Sequence, residues 1–235
     1  MDLVFDIETD DLKATKVHCI VAQNPDTNEL FKFPPERLQE GYEFLATADR
    51  LIGHNIIGFD IPMVKKFGSV DLSHKPVVDT LVMSRLFNPV REGGHSLDKW
   101  GHRLGFQKIE FDDYANYSPL MLKYCTRDVQ LNTVLFHHLR NEGRGFTKDS
   151  VKLEQTIAHI MKQQEEKGFK FDIKKAELLL AELREKMQKA EDEVHKVFKP
   201  KMIDLKEVKP KLKKDGTLSK QGLTPEEYEE RTETN

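Results

Sequence analysis

Leu3-Val4-Phe5-Asp6-Ile7-Glu8-Thr9 is the stretch that most constrains this chain. Three apolar residues lead into an Asp and a Glu two positions apart. In a strand, residues i and i+2 leave the same face, so Asp6 and Glu8 stand side by side while Phe5 and Ile7 turn to the core. Two carboxylates held that close on a rigid strand end repel each other unless a cation lies between them, and hard, oxygen-seeking Mg²⁺ or Mn²⁺ suits such a pair. The alternative is two ordinary carboxylates at an exposed strand end. With this many acidic residues Asp-x-Glu arises about 1.7 times by chance, so the pair signifies little until other carboxylates join it.

The remaining pattern predicts a mixed α/β sheet. Val17 to Ala22 and Leu30 to Phe33 read as two more strands, joined by a turn at 26–28, which gives an antiparallel meander with the first. After Pro34-Pro35, residues 36–48 place Leu38, Tyr42 and Leu45 at helical spacing. Leu51 to Asn55 is a short strand ending in a polar cluster. A helix with Ile61, Val64 and Phe67 on one side follows it, and Val77 to Thr80 repeats the strand-then-helix order. Ser96 opens a helix carrying Leu97, Trp100 and Leu104, and Pro119 sits in the first turn of a long helix to about Arg140. Gly143 and Gly145 then mark the expected edge of a domain spanning 1–145. Residues 146–198 read as helical, with Asp172 capping a helix whose apolar set is Leu179, Leu183, Met187, Ala190 and Val194. Residues 199–235 read as a charged, mobile tail, with eight Lys in 199–220 and five Glu in 226–233.

Composition excludes some classes and leaves others open. At 235 residues and 38% hydrophobic content the chain can build a core. No run approaches a membrane span, and a strand pattern stands where a signal peptide would begin, so the expected location is the cytoplasm. Two cysteines, Cys19 and Cys125, supply neither a disulfide framework nor zinc spacing. A net charge of −3 argues neither for nor against nucleic acid.

Two further motifs join the opening pair. Asn55-x-x-x-Phe59-Asp60 puts an Asp at a helix start just beyond a strand end, where open α/β sheets bind ligands. Tyr124-x-x-x-Asp128 puts a phenol and a carboxylate on one helix face. Chance supplies the Asn55–Asp60 pattern about 0.05 times and the Tyr124–Asp128 pattern about 0.4 times, so all three in this order are not accidental. Other candidates have structural readings: Asp79 as a helix cap, Trp100 as core, His54 as a histidine satisfied at a strand end. His137 and His138, being adjacent, point to different helix faces.

Asp6-x-Glu8, Asn55-x-x-x-Phe59-Asp60 and Tyr124-x-x-x-Asp128 resemble the three motifs of the DEDD exonuclease superfamily, in the tyrosine subgroup that includes polymerase proofreading domains. Residues 78–86 and 95–105 are similar to segments of family A DNA polymerases of short-tailed bacteriophages. Gln164-Glu165-x-x-Gly168-Phe169-x-Phe171-Asp172 resembles the link from exonuclease to polymerase thumb. The resemblance implies a ribonuclease H-like fold, a mixed five-stranded sheet flanked by helices with a C-terminal helical extension. It implies a 3′→5′ exonuclease acting on single-stranded or frayed DNA 3′ ends, in the host cytoplasm if phage-encoded. Two divalent ions, Mg²⁺ or Mn²⁺, about 3.5–4 Å apart, would be held by Asp6, Glu8, Asp60 and Asp128. Tyr124 would orient the attacking water, and Thr9 and Asn55 would touch the terminal nucleotide. These 235 residues leave no room for a palm and fingers, so the extension is expected to dock on a polymerase domain or a second copy. An RNA-directed nuclease of the same superfamily and a non-catalytic DNA-binding module are the competing readings.

Overall fold

The computed structural model describes residues 1–199, so nearly all of the expected charged tail lies outside the described residues. Five strands form one sheet: β1 (Asp2–Thr9), β2 (Val17–Gln23), β3 (Leu30–Phe33), β4 (Arg50–Gly53) and β5 (Val77–Asp79). Their order is β3-β2-β1-β4-β5. β1 pairs antiparallel with β2, and β2 with β3, as the meander predicts. β4 runs parallel to both β1 and β5, because helical crossovers precede each of the two later strands.

The helices are α1 (Leu38–Ala46), α2 (Asp60–Gly68), α3 (Thr80–Phe87), α4 (Leu97–Leu104), α5 (Pro119–Glu142), α6 (Lys148–Lys167) and α7 (Ile173–Val197). β1 is central and covered on both faces. Leu3, Phe5 and Ile7 enter a core with Tyr42 and Leu45 of α1 and Ile61 and Val64 of α2. On the opposite face Val4 joins Cys19, Val21 and Ile52 against Met121, Cys125, Val129 and Phe136 of α5. Residues four apart on α5 thus form the stripe that faces the sheet. A third cluster joins Met83 of α3, Trp100 of α4, and Leu135 and Leu139 of α5.

Two local features set the shape of the strand ends. The β1–β2 register shifts between Glu8 and Thr9, so the bulge comes where the acidic pair emerges and alters the aim of the strand there. At the end of β4, a Cβ on Gly53 would lie 1.9 Å from Ile56 Cγ2 and 3.1 Å from the Phe5 carbonyl oxygen. Only a glycine lets the chain fold back that tightly beside β1.

The chain divides into two compact units, Met1–Phe169 and the part from Lys170 onward. The first therefore extends through α6, past the Gly143–Gly145 loop where composition places an edge. Gln155 explains why α6 stays with the sheet. Its side-chain oxygen accepts from the Asp79 amide at 2.9 Å, and its side-chain nitrogen donates to the Asp79 carbonyl at 3.1 Å. It extends the end of β5 as a further strand residue would. In the second unit, α7 is capped by Asp172, which accepts from the Lys175 amide at 3.0 Å. Its Leu179, Leu183, Met187 and Val194 are 47–71% exposed, in line with the incomplete burial expected for that face.

Candidate active site

The three motifs converge at the end of the central strand. Glu8 is buried beside the bulge, and Asp6 lies partly exposed one pleat behind it. Asp60, the first residue of α2, is buried with Oδ1 accepting from the Ile7 amide at 3.1 Å, which locks it against β1 between the two acidic positions. Asp128 of α5 is also buried; Oδ2 meets the Lys108 ammonium at 2.5 Å, whereas Oδ1 is buried without a partner. Tyr124, one turn earlier, stacks on Phe111 with ring centroids 5.3 Å apart, and its hydroxyl receives a hydrogen bond from Lys108 at 2.7 Å. Four carboxylates from β1, α2 and α5 therefore share one recess.

Crowding and burial set the charge state. Asp6 is held well above the usual carboxylate range, first by burial and then by repulsion from Asp60, Glu8 and Asp128. Glu8 is pushed up to about 9, by burial and then by neighbouring groups that include Cys19 and Asp128. Asp60 rises to about 7, chiefly by burial, against backbone hydrogen bonds that favour its anion. Asp128 is raised by burial, although Lys108 opposes the shift. Such a set fits divalent cations well. The donors are hard oxygens, one of them an orphaned buried oxygen, and positive charge would relieve the repulsion. Carboxyl, carboxyl and thiol ligand atoms of Asp6, Glu8 and Cys125 already lie within 4.8 Å of one another.

The same shifts predict a pH-dependent stability. An acid whose folded pKa exceeds its unfolded value binds more protons when folded, so stability declines as pH rises from the unfolded pKa through the folded one. In EDTA, the melting temperature should fall between about pH 4 and about pH 9, the window bounded by ordinary carboxylates and Glu8. Adding Mn²⁺ at pH 8 should raise it again. A melting temperature that climbs steadily across this window in EDTA would contradict the crowding described here.

The other expected residues fall into distinct roles. Thr9 is buried, with its hydroxyl donating to the Asp11 carbonyl at 2.9 Å. It lines a cleft of about 480 Å³ with Ile7, Glu8, Phe59 and Tyr114. Asn55 adopts a left-handed conformation, φ 66°, which asparagine tolerates better than most residues. It opens on a neighbouring groove of about 810 Å³ that also includes Gly58, Arg85 and Lys162. Asp79 caps α3 by accepting from the Leu81 amide, and its carboxylate also accepts from the amides of Asn55 and Ile57. It thereby holds the loop that delivers Asp60. His54 is pushed down to about 4 by burial, so its imidazole is neutral; Nδ1 lies 2.9 Å from the Thr80 hydroxyl. Trp100 is core and donates to the Ser84 hydroxyl. His137 and His138 diverge, Nε2 of the first meeting the Pro25 carbonyl and the second lying near Glu142.

Sequence reading missed Lys108, Tyr114, Cys125 and Gln155 as parts of this arrangement. Cys125 was accessible in principle, because Met121, Cys125 and Val129 repeat at four-residue intervals and so face the sheet beneath Asp6. Its sulfur lies 3.7 Å from Asp6 Oδ2. Lys108 and Tyr114 lie in the irregular segment between α4 and α5, which has no periodicity to mark them.

The three motifs that resemble those of the tyrosine subgroup of DEDD exonucleases thus meet at the end of the central strand of a mixed five-stranded sheet flanked by helices. No family model matches the chain. It is similar to two curated proteins named DNA-directed DNA polymerase, from Escherichia phage T7 and Enterobacteria phage T3. Each is 26% identical over 245 residues, an alignment covering 77% of this chain and 35% of the relative. The chain thus spans about a third of the length of these relatives. Among solved structures, Brucella melitensis NrnC with bound Mg²⁺ has the same fold, with a TM-score of 0.54 at 20% identity over 73% of this chain and 89% of that one. Among the described residues, no helix is long and apolar enough to cross a membrane.

Proposed function

We propose that this chain is a 3′→5′ exonuclease that removes nucleoside monophosphates from DNA 3′ ends. One observation carries the reading: four carboxylates from three elements converge on one recess and leave a buried oxygen of Asp128 without a partner. In the same recess, a tyrosine hydroxyl is held in place. The similarity to phage DNA polymerases favours DNA as the substrate.

Asp6, Glu8 and Asp128 would hold one divalent ion, Mg²⁺ or Mn²⁺, and Asp60 together with Asp6 a second. When bound, these ions supply acidification of a water and stabilisation of charge on the leaving oxygen. Water oxygen bonds to phosphorus in line with the scissile bond, the P–O3′ bond breaks, and the 3′ oxygen leaves and is protonated. The products are a 5′-monophosphate and a strand shorter by one nucleotide with a 3′ hydroxyl. Glu8 and the Tyr124 hydroxyl orient the water, and no histidine base is needed, because a bound divalent ion would itself lower the pKa of its water. The cleft beside Thr9 accepts the last base and sugar, with Phe59 and Tyr114 as aromatic walls. Asn55 meets the same nucleotide from the adjoining groove. Such a cleft takes one unpaired nucleotide at a time, so frayed ends should be cut faster than matched duplex. The exposed apolar set of α7 is the surface through which a polymerase domain or a second copy would associate.

The test is hydrolysis of end-labelled single-stranded DNA and RNA of equal length in Mg²⁺, Mn²⁺ or EDTA. A ladder of single-nucleotide losses from the DNA 3′ end is expected with either metal and none with EDTA. Intact DNA in both metals would overturn the reading, and faster loss from RNA would move it to an RNA-directed nuclease.

A further inference from the structure

Lys108 belongs to none of the three motifs, yet its ammonium lies inside the carboxylate recess. It is 2.5 Å from Asp128 Oδ2 and 2.7 Å from the Tyr124 hydroxyl oxygen. The segment carrying it is anchored on both sides. Before it, the Phe106 amide donates to the Gly101 carbonyl at 2.9 Å, and Arg127 both covers the Phe106 ring at 3.5 Å and donates to the Gln107 carbonyl at 2.8 Å. After it, Phe111 stacks on Tyr124, and His18 Nε2 lies 3.0 Å from the Tyr114 carbonyl. Tyr114 also presents its own hydroxyl 3.4 Å from that of Tyr124. A side chain that is only 21% exposed, on a backbone tied down in this way, is held in place.

We infer that Lys108 is a positioning residue for the reaction, which fixes the Tyr124 hydroxyl and at the same time lowers the affinity of the recess for divalent ions. The inference rests on the exonuclease reading above. Its first half follows from donor counting. An ammonium has donors and no acceptor, so the bond from Lys108 occupies a lone pair of the Tyr124 oxygen. The phenolic proton must then be directed elsewhere, toward whatever acceptor the recess presents. Without Lys108 the hydroxyl can rotate, and its proton loses that fixed direction.

The second half follows from charge. Lys108 and a divalent ion draw on the same carboxylate. Asp128 can present Oδ1 to the ion while Oδ2 stays with the ammonium, so the two are compatible. They nonetheless repel across a short, poorly hydrated distance. Affinity is thus lowered while geometry is gained, and the two effects have opposite signs on removal of the charge.

The test uses Lys108→Met, which keeps an unbranched chain of similar length without the ammonium, and Lys108→Arg, which keeps the charge. Mn²⁺ binding is measured directly by electron paramagnetic resonance, and kcat on single-stranded DNA is measured at saturating Mn²⁺. Lys108→Met should bind Mn²⁺ about tenfold more tightly, the change expected from removing one partly buried like charge. It should turn over about ten- to a hundredfold more slowly, the range for loss of an orienting contact. Lys108→Arg should bind Mn²⁺ within about threefold of the wild type and recover part of the rate. Because Lys108 acts through Tyr124, the double variant Lys108→Met/Tyr124→Phe should be no slower than Tyr124→Phe alone. Circular dichroism on each variant separates these effects from unfolding, and the arginine variant keeps the test alive if the methionine variant does not fold. Unchanged or weaker Mn²⁺ binding in Lys108→Met, or fully additive rate losses in the double variant, would overturn the inference. Failure of the wild type itself to bind Mn²⁺ or cut DNA would instead overturn the exonuclease reading.

Discussion

Replacing Asp6 with Asn and Glu8 with Gln together should lower the rate of 3′-end hydrolysis by at least about ten-thousandfold if the two acids are the metal ligands proposed above. The fold should survive, because both replacements keep the size and shape of the originals, and the one contact that either carboxylate makes with another element, Cys125 Sγ at 3.7 Å from Asp6 Oδ2, can persist with the Asn oxygen. Stability should in fact increase in the absence of metal. Burial and mutual repulsion keep both acids protonated in the folded state well above their usual range, and this costs stability at pH 8. The neutral amides escape that cost. In EDTA the double variant should melt above the wild type at pH 8 and close to it at about pH 3, below the ordinary carboxylate pKa values, where the wild-type acids are mostly protonated whether folded or not. Mn²⁺ should no longer raise its melting temperature. Calorimetry at the two pH values, with and without Mn²⁺, checks all of this. Full nuclease activity in the variant would refute the assignment of the site.

The second large effect divides the third motif into its parts. Asp128→Asn should cost about a thousandfold or more, since it removes the charge that α5 contributes to the recess. Tyr124→Phe should cost only about ten- to a hundredfold, because in the proposed mechanism only an orienting hydroxyl is lost. The phenylalanine ring can keep its stack on Phe111 at 5.3 Å, so the recess stays closed on that side. The metal dependence should separate the two as well. Asp128→Asn should need more Mn²⁺ to reach half its maximal rate, whereas Tyr124→Phe should not, since a phenol is a poor ligand beside three carboxylates. Single-turnover rates across a Mn²⁺ titration measure both quantities. Equal losses, or a shift in metal requirement for Tyr124→Phe, would mean that the roles are exchanged.

The role of α6 bears on how the site is supported. Gln155 holds the backbone at Asp79, and the Asp79 carboxylate holds the amides of Asn55 and Ile57 and the start of α3. The loop so fixed leads directly into Asp60. A helix that composition assigns to the extension beyond the domain therefore braces one of the four carboxylates. The reason is that a strand end with unpaired backbone groups needs a partner, and a glutamine amide matches both a peptide N–H and a carbonyl.

What the sequence alone determined is everything governed by short repeats. The two-residue period of β1 placed Asp6 and Glu8 together and sent Phe5 and Ile7 into the core, and the structure keeps that division. The four-residue period of α5 placed Tyr124 and Asp128 on one face. The order of strands and helices yielded a mixed α/β sheet that begins as a meander, whereas the count of five strands came from the family resemblance; the observed sheet has both features. Tertiary structure decided which groups outside the three motifs join the site. Lys108 reaches Asp128 across twenty residues, Cys125 reaches Asp6 across 119, and Gln155 reaches Asp79 across 76. Local periodicity carries the direction in which a side chain leaves its own element. It carries nothing about where an aperiodic loop is anchored, because that depends on distant partners such as Arg127 and His18, which meet the loop only after the sheet and α5 have packed.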